Sequence, residues 1–473
     1  MKQPSEVELH RLAPGRKKNA VLWCLALVVA ITVSIWKYSP IPLPIHPLPI
    51  QPPVDSNDPF GTQQWKQCPD NLEYPLFQCG ALPVPLDHLN KTGNRAKIDI
   101  AVIRLKSTAP KVKGTILVNP GGPGGSGIDL VARAGFLIKT ITGGEFDILG
   151  FDPRGIGQSQ SVSCSQTPLQ HSANSLLQAF SGVPNGLDES ISVNKYDALV
   201  KLSVAGCKTW SNDLIPFIST AYTARDMDAI RVALNELELN FFGFSYGTFL
   251  GITYVNMFPD RVGRVIIDGV TDPQTFAGNY IKWSFSSLVN TPDGIDAFSR
   301  FCAEAGPTNC PLTKLSDNDF SVIQRIRKFI YFLADNPIPV SDGNVTVLIT
   351  ADNMNSYLFQ NMYTPASWPV AARALAKAIF QQDFKDLAIA SGGLDGQDRE
   401  SLCPLKDESG NFGFLSVKCN DGFSDDETSL EEYEEGAKVN SELSEFGGSN
   451  WVWMGLGCKY WPSKAVERYD GQI

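Results

Sequence analysis

Ser245 stands in Gly243-Phe244-Ser245-Tyr246-Gly247, directly after the apolar run "LNFFGF" (239–244). A serine with a glycine two positions to either side can sit on a tight strand-to-helix turn and present its hydroxyl as a nucleophile toward a carbonyl carbon. The competing reading is a serine that merely caps the helix after it. Upstream, "NPGGPGGSG" (119–127) follows another apolar run. Backbone amides there, free of side chains, can face a developing oxyanion together with the amide of Tyr246. A phosphate-cradling P-loop is the alternative, but the loop lacks the Lys-Ser/Thr pair that such a loop requires. A serine nucleophile also needs a base. The four histidines are His10, His46, His88 and His171, all ahead of Ser245.

These residues require a scaffold of buried strands and covering helices. "KIDIAVIRL" (97–105) alternates, while "GTILVNP" (114–120), "FDILGFD" (146–152) and "LNFFGF" are continuous apolar runs of the kind that fill a parallel sheet. "TARDMDAIRVALNEL" (223–237) reads as a helix capped by Thr223, with Met227, Ile230, Val232, Leu234 and Leu237 toward the sheet. After Ser245, "YGTFLGITYVNMF" reads as a helix whose Gly247 and Gly251 approach the sheet, and "RVGRVIIDGV" (261–270) as a further strand.

The N-terminus is of another kind. Arg16, Lys17 and Lys18 precede an uncharged apolar run from Ala20 to Trp36, with only Lys37 close behind it and no small-residue cleavage site. The expectation is a signal anchor, single-pass and type II, with residues 1–19 cytosolic, a transmembrane helix over 20–38 and the remainder lumenal or extracellular. Cleavage and secretion is the alternative. Residues 39–58 form a proline-rich stalk. Nine cysteines follow the span, consistent with an oxidising compartment; Cys68 with Cys79 and Cys302 with Cys310 are plausible bridges, and Cys458 is a candidate for the odd thiol. Asn90-Lys91-Thr92 and Asn344-Val345-Thr346 are glycosylation sequons. The net charge of −10 without a basic stripe speaks against nucleic-acid binding, and no pattern calls for a metal or other cofactor.

"CGALPVPLDHLN" (79–90), "GTILVNPGGPGGSG" (114–127), "FDILGFDPRGIGQS" (146–159), the stretch from Tyr222 to Pro273 and "SVKCND" (416–421) together resemble the tripeptidyl aminopeptidase-like family of α/β-hydrolase serine peptidases, relatives of proline iminopeptidase. The resemblance implies an α/β-hydrolase fold, a mostly parallel sheet flanked by helices, with a core over 59–273 and a large, mainly helical cap from 274. It implies an exopeptidase that attacks with Ser245, holds the oxyanion on the amides of Gly122 and Tyr246, and removes short N-terminal peptides from a substrate with a free amine. Gly243 and Gly247 support the elbow. Asp152 and Arg154 of "DPRG" are expected as a structural pair at the rim of the site.

In such a fold the triad acid and histidine follow the nucleophile in the chain. Neither is found after Ser245, and Asp268 without a histidine is assigned a structural role. The expectation is therefore an incomplete active site, with the last strands absent from residues 274–473 and an uncovered sheet edge. The carboxylates of Glu431, Glu432, Glu434 and Glu435 read as a solvated helix face; the sharper alternative is that cap acids grip the substrate's ammonium group. A non-catalytic peptide-binding protein and a related esterase or lipase are the alternative functions.

Overall fold

The computed structural model describes Cys68 and residues 77–167, 170, 182–184, 192–341, 346–391, 410–423, 425 and 427–469. The anchor, the stalk, Asn344, His10, His46, His171 and Cys403 lie outside these residues. Among the described residues no helix is long and apolar enough to cross a membrane.

A six-stranded sheet organises the core: β1 (Phe77–Pro85), β2 (Lys97–Leu105), β3 (Thr115–Asn119), β4 (Asp147–Phe151), β5 (Leu239–Phe244) and β6 (Val262–Asp268), in the order β1-β2-β4-β3-β5-β6. β1 and β2 enter as an antiparallel hairpin, and β4, β3, β5 and β6 run parallel. The continuous apolar strands occupy the interior because both their faces are covered; every residue of β3 and β4 is buried. α1 (Gly127–Ile141) packs on one side with Val131 and Ile138, against Ile103, Val118 and Ile148. α2 (Val193–Trp210), α3 (Thr220–Ala233) and α4 (Tyr246–Met257) share the opposite core.

α3 starts a turn earlier than its sequence suggests. Ser219, not Thr223, is the cap, accepting from the Tyr222 amide, and Thr223 is an interior, fully buried residue. Met227 and Ile230 face the core as expected. The helix stops at Ala233, and Asn235 turns the chain through a left-handed φ of 54°, leaving Val232 and Leu237 exposed.

Beyond β6, α5 (Thr291–Asn309), α6 (Ser321–Asp335), α7 (Ala351–Met362) and α8 (Trp368–Ala376) gather around their own apolar centre, which includes Phe298, Ile326, Leu358 and Leu375. A small hairpin of β7 (Ile338–Ser341) and β8 (Thr346–Ile349) lies beside them. α9 (Gly410–Asp421) and α10 (Leu430–Leu443) return to the main core, where Leu415, Val417, Tyr433 and Trp453 join Tyr246 and Phe249. Disulfides join Cys68 to Cys79 and Cys302 to Cys310, as spacing suggested, and also Cys164 to Cys207 and Cys419 to Cys458. Cys458 is thus bonded, and its assignment as the odd thiol is corrected: α9 carries Cys419 to within 4.8 Å, Cα to Cα.

Candidate active site

Ser245 occupies the junction of β5 and α4 with φ 53° and ψ −122°, a conformation that a non-glycine residue adopts only when its surroundings impose it. Its amide donates to the Asp268 carbonyl at 2.9 Å, and its own carbonyl accepts from the amide and hydroxyl of Thr248. The side chain is exposed and makes no capping hydrogen bond, which rules out a mere helix cap. The flanking glycines have steric causes. A Cβ on Gly243 would lie 2.3 Å from the Gly247 carbonyl oxygen, and one on Gly247 would lie 2.8 Å from the Asn119 carbonyl oxygen. Gly251 lets the Phe241 ring lie under α4, at 2.9 Å from any added Cβ.

The glycine loop meets this turn directly. Gly121, at φ 94°, approaches so closely that a Cβ there would sit 2.4 Å from the Phe244 carbonyl oxygen and 2.8 Å from the Ser245 Cβ. Asn119 fixes the loop by accepting the Gly121 amide on Oδ1. Among the described residues the amides of Gly122 and Tyr246 have no acceptor. An oxyanion hole requires two such free donors near a nucleophile; here one follows Ser245 in the chain and one lies in the loop that touches it through Gly121.

The loop also spells G-x-G-x-x-G over residues 122–127, between a strand and a helix. The N-terminus of α1 is nevertheless already satisfied: Asp152 accepts from the Ser126 hydroxyl at 2.6 Å and from the Ile128 amide at 3.2 Å. A pyrophosphate there would meet a carboxylate in its place.

Asp152 and Arg154 are not a pair, and neither is at the rim. Both are fully buried. Asp152 also accepts the Gln158 amide; burial is the main influence on its carboxyl and raises its pKa. Arg154 instead forms a bidentate bridge to Asp226 of α3, at 2.7 and 2.6 Å, and donates to the carbonyls of Leu86 and Phe217. His88 closes the cluster, with Nε2 at 2.7 Å from Asp226 Oδ1. Burial opposes ionisation of Asp226, and Arg154 and His88 outweigh it, holding its carboxyl below the usual range. This His–Asp contact has the chemistry of a triad pair, but its carboxylate is already committed to a buried guanidinium. Sequence reading missed Asp226; an acid directly before Met227 on a sheet-facing helix was the available signal.

Asn90 of the first sequon is exposed in a left-handed turn, and Thr92 is bonded to Asp87. Glu431, Glu432, Glu434 and Glu435 are exposed on α10, where Glu432 completes a capping box with Ser429. The solvated-face reading holds for them. Among the described residues no cluster of side chains could hold a metal ion.

Residues 114–296 match the alpha/beta hydrolase fold family model. The chain belongs to the α/β-hydrolases. Its relatives include a tripeptidyl aminopeptidase of Streptomyces coelicolor, 35% identical over 217 residues, which are 44% of this chain and 38% of that protein. The serine protease Hip1 of Mycobacterium tuberculosis is 31% identical over 236 residues, 50% of this chain and 42% of that protein. A carboxylesterase B of Mycobacterium tuberculosis is 30% identical over 366 residues, 76% and 66% of the two chains. The hydrolase thus spans less than half the length of the first two of these relatives, and both of those are peptidases by name.

Proposed function

We propose that this α/β-hydrolase is a serine hydrolase of peptides, an exopeptidase that releases short N-terminal peptides, with Ser245 as nucleophile and the amides of Gly122 and Tyr246 as the oxyanion hole. The observation that carries the reading is the strained backbone of Ser245, its hydroxyl unbonded, packed against a glycine loop, with the amides of Gly122 and Tyr246 unpaired. Attack forms the Ser245 Oγ–carbon bond, and the charge on the carbonyl oxygen falls to the two amides. The serine proton needs an acceptor. No histidine follows Ser245 in the sequence, and His88 is engaged by Asp226. Among the described residues His88 is the one histidine, and its Asp226 partner is shared with the buried Arg154, so the reading places no triad base beside Ser245. Hole and binding alone sustain roughly 10³–10⁴-fold acceleration over water in serine proteases stripped of their triads.

A second reading is a non-catalytic peptide-binding protein, supported by the commitment of Asp226, the acid beside His88, to the buried Arg154. The likeness to a carboxylesterase keeps ester substrates in view. The test uses purified chain in imidazole buffer with tripeptide p-nitroanilides bearing a free or acetylated N-terminus, and short p-nitrophenyl esters. An exopeptidase turns over the free-amine peptide selectively and depends on Ser245. Equal use of the acetylated peptide defeats the exopeptidase claim, and ester turnover alone makes the protein an esterase.

We further propose that the run from Ala20 to Trp36 anchors the chain, with the hydrolase part lumenal or extracellular; the lopsided basic charge before it supports this. Release of the protein from membranes by alkaline carbonate would refute it.

A further inference from the structure

We propose that Asp421, at the end of α9, is a positioning residue for the oxyanion hole: it holds Thr220, Thr220 holds the Tyr246 hydroxyl, and the backbone amide of Tyr246 is thereby fixed beside Ser245. The role rests on the reading of Tyr246 as a hole donor. The contacts form an unbroken chain. Asp421 accepts the Thr220 amide on both oxygens, at 3.0 and 3.2 Å, and the Thr220 hydroxyl at 2.5 Å. Thr220 Oγ1 lies 2.6 Å from the Tyr246 hydroxyl. Each of the three residues is buried. Thr220 has one hydroxyl proton, and an ionised Asp421 claims it, so Tyr246 must donate to Thr220 and the chain has a single direction.

α9 is itself immobilised. Lys418 donates to the Phe276 carbonyl at 2.8 Å, Asn420 donates to the carbonyls of Ile215 and Ile218, and Cys419 is bonded to Cys458. Phe276 also packs on the Tyr246 ring, 5.4 Å between centroids. Seven residues earlier, α9 touches the other half of the hole: a Cβ on Gly124 would lie 2.9 Å from the Phe414 amide nitrogen. One helix, remote in sequence from both donors, therefore braces the glycine loop with one end and the elbow with the other.

Burial raises the Asp421 carboxyl to about 6, against the two hydrogen bonds from Thr220 and the charges of Lys418 and Arg468. Those two cations, the Thr220 hydroxyl and the Tyr246 phenol are the groups that bear on it from α9, the C-terminal segment, α3 and α4. Near-neutral pH keeps it ionised and the chain directed; at pH 5 the protonated carboxyl can donate to Thr220 and release Tyr246.

The test compares full-length protein with its Thr220→Val, Thr220→Ser and Asp421→Asn variants by amide hydrogen exchange and by Ser245-dependent ester turnover in imidazole. Thr220→Val and Asp421→Asn should speed exchange across Tyr246–Leu250 by about tenfold, the equivalent of one hydrogen bond, and leave β4 protected. Thr220→Ser should restore protection. Wild-type elbow exchange should step up below pH 6 beyond the intrinsic pH effect, and the Asp421→Asn variant should show no step. Unchanged elbow exchange in Thr220→Val, or an equal rise in β4, overturns the proposal. Ser245-independent ester turnover in the wild type defeats the functional reading instead, and the exchange data still decide the positioning claim.

Discussion

β5 and β6 lie side by side in the same parallel sheet, yet they are different kinds of strand. β5 is buried along nearly its whole length, with Phe241 under α4 and its end pressed on Gly121. β6 lies at the sheet edge, and Ile266 and Ile267 on it are 46% and 37% exposed. β6 touches the elbow through the Asp268 carbonyl, which accepts the Ser245 amide. The position of Ser245 is therefore a property of β3, β5, α3, α4 and α9, which meet it through close glycine contacts and hydrogen bonds. Within the sheet, β6 is the strand that leaves large apolar side chains exposed.

The contrast can be broken at its most committed point first. Replacing Asp226 with Ala strands the Arg154 guanidinium in the core and should cost about 3–5 kcal/mol in urea unfolding. A loss below about 1 kcal/mol would mean that the cluster is not a fixed part of the interior. Next in size is Asp421. Its carboxyl ionises near 3.8 when unfolded and near 6 when folded, so the folded state holds the extra proton between those values. Its contribution is fully present below pH 3.8 and is lost as pH rises to 6, by roughly 3 kcal/mol. The Asp421→Asn variant should lack this decline, and an identical pH profile for the two proteins would refute the assignment. Gly243→Ala should cost about 1–3 kcal/mol through its contact with the Gly247 carbonyl, measured by thermal unfolding. Smallest is Ile266→Thr on β6, expected within about 0.5 kcal/mol. A cost comparable to that of Gly243→Ala would show that the edge is covered after all.

β2 to β6 were legible because they are short apolar runs bounded by Gly, Pro and Asp, whereas β1, broken by Gly80, Pro83 and Pro85, was not; the elbow was legible because Ser245 falls at the end of one run and ahead of a helix. The glycine loop was legible for the chemistry of its bare amides; its contact through Gly121 rather than Gly122 needed the coordinates. What sequence could not yield were pairings across long separations. Arg154 finds Asp226 and not its neighbour Asp152 because Asp152 is consumed by the N-terminus of α1. Cys164 and Cys207 meet over 43 residues, and Cys419 and Cys458 over 39, for which spacing offers no cue. Asp421 carried no signal of its own in the sequence; its contact with Thr220 appears only when α9 packs against the head of α3.

The proposal most open to test is that Ser245 and the amides of Gly122 and Tyr246 act without a histidine base beside them. The most direct measurement is ester turnover by the 473-residue protein and its Ser245→Ala variant as the concentration of free imidazole is raised at constant pH and ionic strength. The account predicts a Ser245-dependent rate that begins near background and climbs in proportion to imidazole, with the variant showing only the solution reaction. Ser245-dependent turnover that is already high without imidazole and indifferent to it would contradict the account, because the chain would then hold a base of its own.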